Sequence, residues 1–140
     1  MSVTFHQLTK VNLQNRIALK AFIPQLFKKE GKAFESLTYI FCSDEYLLEV
    51  NKNFLQHDFY TDIITFDLSE SKTAPTIGEI YISVDRVSEN AITHQTTFEL
   101  ELHRVIFHGA LHLCGYKDKN QKDALLMRKK EEDCLSMYFE

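Results

Sequence analysis

Two histidines four residues apart, His108 and His112, are the side chains best placed in this sequence to do chemistry. Residues at positions i and i+4 of a helix project from the same face, and two imidazoles there can bind one zinc ion at about 2.0–2.1 Å. Gly115 is placed to end that helix, because glycine adopts the left-handed conformation without steric cost. The chain can then return Asp118 to the same point. We predict a metal site with a fourth position open to water, which is typical of catalytic zinc sites.

The choice of ion and of reaction stays open at this level. Zinc suits the two imidazoles, and Mn²⁺ or another divalent ion suits a site that includes a carboxylate. Histidine pairs with this spacing also occur in helices that bind no metal, so the interpretation depends on Gly115 and Asp118 as well. The offsets resemble those of the metzincin metalloproteases, whose H-E-x-x-H pattern uses the glutamate as general base. Gly109 occupies that place here, which argues against peptide hydrolysis of this type.

Nearby polar residues have more ordinary interpretations. His103 precedes His108 by five residues, which places it about 140° around the helix, so we predict a surface or capping residue. Glu101 shares the face of His108 but lies two turns away, and a structural role is expected for it. Thr61 and Asp62 stand at the start of a predicted strand, where they either line a cleft or cap the strand.

Length and composition narrow the class of protein. The chain has 140 residues, 16 Lys plus Arg against 20 Asp plus Glu, and a net charge of −4, and this length suits one domain over residues 1–140. A hydrophobic content of 44% excludes a disordered chain. The mildly acidic net charge excludes a protein that binds nucleic acid through a uniformly basic surface, although it permits a local basic patch.

Hydrophobic spacing and capping residues predict the elements that position the histidines. Strands are expected at 3–8, 37–42, 62–68 and 77–84, and helices at 15–27, 45–54, 85–94, 98–113 and 121–137. Pro24 is expected to end or kink the first helix, and Asp85 and Thr97 to cap the third and fourth. Residues 125–127 of the last helix are expected to face the core. We predict a single α+β domain with a small mixed sheet of about four strands packed against about five helices.

The cysteines and the chain start indicate the compartment. Cys42, Cys114 and Cys134 are an odd number without the spacing of a disulfide framework, which predicts reduced thiols. Residues 1–6 lack the basic and apolar pattern of a secretory signal, and no apolar run approaches the length of a membrane span. We expect a cytoplasmic protein that does not enter a membrane.

The segment His108–Asp118 resembles the YbeY family of metal-dependent endoribonucleases, whose signature there is H-G-x-L-H-L-x-G-Y-D-H. Asp118 stands where the signature has its last histidine. Upstream, Thr61–Phe66 is similar to the family's T-D-V-L-S-F segment, and Ile77–Ser83 is similar to its L-G-D-I-x-I-S strand. These matches run in order over about residues 47–127, more than half of the chain, and are far more specific than the histidine pair alone.

The resemblance implies an α+β fold with a zinc site at one end of the histidine helix, and it assigns His108, His112 and Asp118 as the metal ligands. It also implies cleavage of single-stranded RNA, with roles in 16S rRNA 3′-end maturation and ribosome quality control. The small ribosomal subunit or its associated proteins would then be partners. The catalytic group is expected to be a water on the ion rather than an identified side chain, and His57 is a weak candidate for a direct role.

Two departures from the family pattern affect the site. Asp118 is anionic where an imidazole is neutral, so harder ions such as Mn²⁺ should compete better for it. The family commonly carries an arginine in Y-R-G-K-D-x-P-T-D, whereas this chain has Leu55 at the arginine place and His57 at the lysine place. Because an arginine suits phosphate, its loss leaves phosphate binding to His57 or to another cation.

RNA has to approach this chain despite its net charge of −4. Lys117, Lys119 and Lys122 make the segment after the metal motif locally basic, and we predict that they bind the phosphate backbone. A solvated helix face is the alternative, and for residues 128–130 it is equally well supported. The favoured function is a metal-dependent endoribonuclease. The alternatives are a ribosome-associated RNA- or protein-binding module with a structural or vestigial metal, and a metal hydrolase acting on another substrate.

Overall fold

The computed structural model describes residues 2–140, which form four strands and five helices. In chain order these are β1 (Ser2–Gln7), α1 (Arg16–Lys29), β2 (Phe34–Cys42), α2 (Asp44–Leu55), β3 (Ile63–Asp67), β4 (Thr76–Ser83), α3 (Val84–Thr93), α4 (Phe98–Leu113) and α5 (Gln121–Phe139). The strand order is β1-β2-β4-β3, and only β3 runs antiparallel to its neighbour. The prediction of an α+β fold with a four-stranded mixed sheet and five helices is confirmed.

Helices cover both faces of the sheet. The larger core lies between one face and the helices α1, α4 and α5, whereas a smaller cluster lies under α2 on the other face. Successive side chains of a strand point to opposite faces, so Ile80 and Ile82 of β4 enter the larger core and Tyr81 packs against the smaller one. This burial on two sides explains the continuous apolar run at the end of β2.

The histidine helix α4 lies at the centre of this arrangement. It contacts β3 and β4 on one side and α1, α3 and α5 on the others, and ten of its sixteen residues are buried. Thr97 caps it as predicted, with its side chain accepting a hydrogen bond from the Leu100 amide. The Tyr39 hydroxyl of β2 donates to the Ile106 carbonyl at 2.9 Å. The segment that carries His108 and His112 therefore belongs to a helix that is packed on several sides.

The prediction for the start of α3 was wrong, and one of the two alternatives for Pro24 is excluded. The N-cap of α3 is Ser83, whose hydroxyl accepts from the Arg86 amide, and Asp85 lies in the first turn, where its carboxylate accepts from the Asp44 amide at 2.8 Å. Pro24 does not end α1, which continues to Lys29. Buried residues lie on both sides of the proline, so core packing holds the two halves together: Leu19, Ile23, Leu26 and Phe27.

Helix α5 turns a different face to the core than the sequence suggested. Leu125 and Leu126 are 65% and 45% exposed, and only Met127 of the predicted trio is buried. The buried stripe of α5 consists of Met127, Glu131, Cys134 and Leu135, at the i, i+4, i+7 and i+8 positions of one helical face. The helix therefore brings a carboxylate into its contact with α4.

The prediction for His103 was also wrong. This histidine is 2% exposed, and its ring stacks on Tyr138 at the end of α5 with centroids 5.2 Å apart. Its Nδ1 makes a 2.7 Å hydrogen bond with the Glu99 carbonyl, and burial lowers its pKa. His103, which points away from His108 on α4, therefore faces α5 rather than solvent.

Two further observations bear on the sequence expectations. Cys42, Cys114 and Cys134 are free thiols, as predicted. Within residues 2–140, no helix has both the length and the apolar character that crossing a membrane requires.

Candidate metal centre

The last two turns of α4 and the loop after it bring three potential ligands together. His108 and His112 project from the same face of the helix, and Asp118 returns to them from the segment between α4 and α5. One ligand atom of each residue lies within 4.8 Å of the other two. The structure therefore assembles the three residues that the sequence predicted as a metal site.

The turn that follows α4 places Asp118. Gly115 has φ +109°, the left-handed region that favours glycine, and the helix ends in a Schellman motif. The Gly115 amide donates to the His112 carbonyl at 3.0 Å, and the Tyr116 amide donates to the Leu111 carbonyl at 3.1 Å. The glycine that the sequence identified as the helix stop thus reverses the chain towards the histidines.

Two of the three separations between the candidate ligand atoms match those around a tetrahedral ion. The Oδ2 atom of Asp118 lies 3.2 Å from His108 Nε2 and 3.3 Å from His112 Nε2. Ligands bound to zinc at about 2.0–2.1 Å in tetrahedral geometry lie about 3.3 Å from one another. The residues present therefore fit a divalent ion at this point.

Both imidazoles are held in the orientation that binding through Nε2 requires. His112 Nδ1 lies 2.9 Å from the Tyr116 carbonyl, and His108 Nδ1 lies 2.5 Å from Glu131 Oε2. Each Nδ1 donates its proton to an oxygen, which leaves the Nε2 lone pair free for a metal. The carboxylate–histidine pair formed by Glu131 and His108 is a common support of metal ligands in proteins.

Glu131 is the functional residue that the sequence interpretation missed. It is 5% exposed, and Arg104 of α4 pairs with it at 3.2 Å. Burial by itself lowers the pKa of His108, but the Glu131 hydrogen bond and the surrounding carboxylates outweigh burial and raise that pKa. One signal was available: Glu131 is the charged member of an otherwise apolar stripe with Met127 and Cys134. A carboxylate in such a position requires a polar partner across the interface.

A polar cleft of about 240 Å³ opens beside the metal centre, with His108 and Asp118 in its wall. The remaining charged and titratable residues of its lining are Asp62, His94, Glu101, Arg104, Arg128 and Glu131. Burial raises the pKa of the Asp62 carboxyl, even though nearby His108 acts in the opposite direction. Thr61, in contrast, directs its hydroxyl to the Ile63 carbonyl at 3.4 Å. Asp62 therefore lines the cleft, whereas Thr61 is not part of the lining that the described residues form.

The predicted RNA-binding residues and His57 lie outside this lining. Lys117, Lys119 and Lys122 are exposed, on the Asp118 loop and in the first turn of α5, and none of them lines the cleft that residues 2–140 form. His57 is exposed and stacks on Phe59 with ring centroids 5.1 Å apart. Leu55 ends α2 and is 40% exposed. Among the described residues, Leu55 and His57 are therefore not part of the cleft lining, whereas Asp62, at the end of the same segment, is.

Gly109 follows the first ligand at a point where α4 touches the sheet. A Cβ atom there would lie 2.8 Å from Ile80 Cδ1 and 2.9 Å from Ile63 Cδ1, closer than such atoms approach in proteins. A side chain at this position requires Ile63 or Ile80 to move. The structure thus adds a steric reason to the chemical one against a metzincin-type general base.

We expect Gly109→Ala to lower the free energy of unfolding by about 1–2 kcal/mol. Alanine gains up to about 1 kcal/mol of helix propensity, so the loss arises from crowding against Ile63 and Ile80. Urea denaturation followed by circular dichroism measures the change. An unchanged or higher unfolding midpoint would show that the two isoleucines yield without cost.

The chain is similar to known proteins over nearly its whole length. A family model described as Endoribonuclease YbeY matches residues 4–138. A protein named Endoribonuclease YbeY from Cytophaga hutchinsonii is 50% identical over 133 residues, which cover 95% of this chain and 92% of the relative. Another of that name, from Flavobacterium johnsoniae, is 42% identical over 136 residues, which cover 97% of this chain and 96% of the relative.

A solved structure supports the same relationship. The solution structure of TM1509 from Thermotoga maritima has a TM-score of 0.63 and 32% sequence identity to this chain. The similarity covers 96% of this chain and 89% of the Thermotoga protein. With the family model matching nearly the whole sequence, the chain belongs to the YbeY family.

Proposed function

We propose that this protein is a metal-dependent endoribonuclease that cleaves single-stranded RNA, and that residues 1–140 act as one hydrolase domain. The family assignment supports an RNA substrate, since the similar proteins carry the name endoribonuclease. The observation that carries the metal dependence is the preorganised set of His108, His112 and Asp118, with both Nδ1 atoms already engaged. The proposed roles are 16S rRNA 3′-end maturation and ribosome quality control, with the small ribosomal subunit or its proteins as partners.

The proposed ion is zinc, held by two imidazole nitrogens and one carboxylate oxygen. When bound, such an ion polarises a phosphoryl oxygen and lowers the pKa of water towards about 7. The anionic Asp118 makes Mn²⁺ a competent alternative, because harder ions prefer oxygen ligands. The reduced state of the three cysteines supports a cytoplasmic location for this activity.

The surrounding side chains supply orientation and proton acceptance. Glu131 holds His108 through Nδ1, and the Tyr116 carbonyl holds His112 in the same way. Asp62 presents to the cleft a carboxyl group whose pKa is raised by burial, and such a group is suited to take up a proton from a nucleophile. We assign it this role as the candidate general base.

A second function, a ribosome-associated binding module with a structural or vestigial metal, is favoured by one observation. Leu55 replaces the arginine of the family pattern and lies exposed at the end of α2. A chain that has lost a phosphate-binding group could retain RNA binding without cleavage. A metal hydrolase of another substrate is the third candidate, because the ligands specify the ion better than the leaving group.

Metal removal and restoration tests the proposal. We expect the chelator-treated protein to lose at least about 99% of its activity on a single-stranded oligoribonucleotide, because several kcal/mol of charge stabilisation disappear. Stoichiometric Zn²⁺ or Mn²⁺ should restore cleavage, whereas Ca²⁺ should restore little. RNA binding without cleavage at any metal would support the binding module instead. Far-ultraviolet circular dichroism serves as the control that the stripped protein remains folded.

A further inference from the structure

The cleft beside the candidate metal centre is rich in carboxylates, and each carboxylate has a polar or cationic group of the protein within 4 Å. Asp118 faces the two ligand imidazoles, and the Asp62 carboxylate lies 3.4 Å from the Asn90 amide nitrogen. Glu101 Oε1 makes no hydrogen bond within the described residues, but it lies 3.6 Å from His94 Nδ1 and 3.8 Å from Arg104 Nε. The negative charges of the lining are therefore engaged within the protein.

Arg104 is engaged in the same way. Its Nη1 donates to Glu131 at 3.2 Å and its Nη2 donates to Glu132 at 2.7 Å, so both arms of the guanidinium bind α5. With 20% of its side chain exposed, Arg104 acts as a clamp between α4 and α5. It is not free to bind a ligand.

Arg128, in contrast, is unpaired among the described residues, because the carboxylates nearest to it on α5 pair with Arg104. On a helix, an arginine pairs with carboxylates three or four residues away, which for Arg128 are Glu131 and Glu132. Both of these bind Arg104 instead. Across residues 2–140, Arg128 has no ion pair and no side-chain hydrogen bond, although it is exposed and lines the cleft. The cleft thus contains one charged group without an internal partner, and that group is a cation.

We infer that Arg128 forms a phosphate subsite, which binds the RNA backbone phosphate next to the one at the metal centre. This inference rests on the proposed RNA-cleaving function and adds a substrate contact to it. Arg128 lies one turn from Glu131, about 5–6 Å between Cβ atoms, and Glu131 Oε2 lies 2.5 Å from His108 Nδ1. Arg128, His108 and Asp118 also line the same cleft, so a phosphate bound by Arg128 would lie in the cleft that adjoins the proposed metal site.

The chemistry of arginine fits this ligand. A guanidinium presents two parallel N–H donors that match two phosphate oxygens, and it keeps its charge at every physiological pH. The subsite also supplies, from α5, the cation that the chain lacks at Leu55. In this protein the phosphate-binding arginine has a different position in the sequence.

Arg128→Ala in the metal-loaded protein tests the subsite. We expect KM for a single-stranded oligoribonucleotide to rise roughly tenfold or more, because a charge-assisted contact is lost. The value of kcat should stay within about threefold, since the metal ligands are untouched. For a single-stranded 2′-deoxy oligonucleotide of the same sequence, the slope of log affinity against log salt should decrease by about 0.7. Arg128→Lys keeps the charge but not the paired donors, so we expect its KM to lie between those of the wild type and Arg128→Ala.

Lys129→Ala is the matched control, because Lys129 is the next residue of α5, is exposed and has no ion pair within residues 2–140. It does not line the cleft described here. Equal KM values for Arg128→Ala and Lys129→Ala, or an unchanged salt slope for Arg128→Ala, would overturn the subsite. A wild-type protein that cleaves no RNA with any metal would contradict the proposed function instead. Unchanged metal content and circular dichroism of Arg128→Ala separate the loss of a contact from a loss of fold.

Discussion

His112→Ala is expected to abolish stoichiometric metal binding and to lower kcat/KM for RNA cleavage by at least about a hundredfold. The substitution removes one of three ligands and leaves a single imidazole beside Asp118, which is too few for tight binding of zinc. The fold should persist, because the His112 side chain is 26% exposed and lies at the end of α4. Elemental analysis of the purified protein measures the metal, and a labelled oligoribonucleotide measures the cleavage.

His6→Ala is the control for this prediction. It makes the same chemical change at an exposed position of β1, and we expect wild-type metal content and activity. If His112→Ala retained the metal content of the wild type, the proposed ligand set would be wrong. If it lost the metal but retained full cleavage, the activity would come from a contaminating nuclease.

Glu131→Ala is expected to weaken metal affinity by about 10–100-fold, although Glu131 is not itself one of the proposed ligands. Without the carboxylate, nothing in the described structure fixes the proton of His108 on Nδ1 or holds the ring towards Asp118. The variant should also lose about 1–3 kcal/mol of stability, because a buried hydrogen bond to Arg104 disappears. Calorimetric titration with Zn²⁺ measures the affinity, and urea denaturation measures the stability.

Glu132→Ala is the control that shows whether the effect of Glu131→Ala on metal affinity comes from the lost contact with His108 or from the lost contact with Arg104. Glu132 also binds Arg104, at 2.7 Å, but it is exposed and makes no hydrogen bond with His108. We expect its metal affinity to stay within a few-fold of wild type. Equal losses of metal affinity in Glu131→Ala and Glu132→Ala would indicate that the α4–α5 clamp matters, and not the orientation of His108. Glu131→Gln retains an oxygen acceptor without the charge, so we expect its metal affinity to lie between those of the wild type and Glu131→Ala.

The histidine helix and the turn after it could be predicted from the sequence, because capping residues and a helix-ending glycine close to them in the chain determine them. The predicted helix at 98–113 has the same bounds in the structure, since Thr97 provides an N-cap and Gly115 the left-handed residue after the helix. The pairing of His108 with His112 follows from helical geometry alone. The return of Asp118 could be predicted for the same reason, because only a short turn separates it from the helix.

Apart from the cap of α3, the predictions that were wrong concern which face of a helix is buried. Leu125 and Leu126 were expected in the core because they are apolar, and His103 was expected at the surface because it points away from His108 on the helix. Hydrophobicity favours burial but does not identify the neighbouring element. The packing of α5 on α4 exposes the two leucines and buries the histidine under Tyr138.

The sequence by itself predicted the proposed ligand set and determined the helix that carries it, because these depend on residues within one or two turns of each other; the class of the fold followed from the order of the predicted strands and helices. Only the tertiary structure decided what supports and surrounds the ligands. Glu131 reaches His108 across 23 residues of sequence, and Arg104 pairs with Glu131 and Glu132 over similar separations. Such contacts depend on how two helices pack, which local propensity does not specify. That packing orients the first ligand and leaves Arg128 unpaired beside the metal centre.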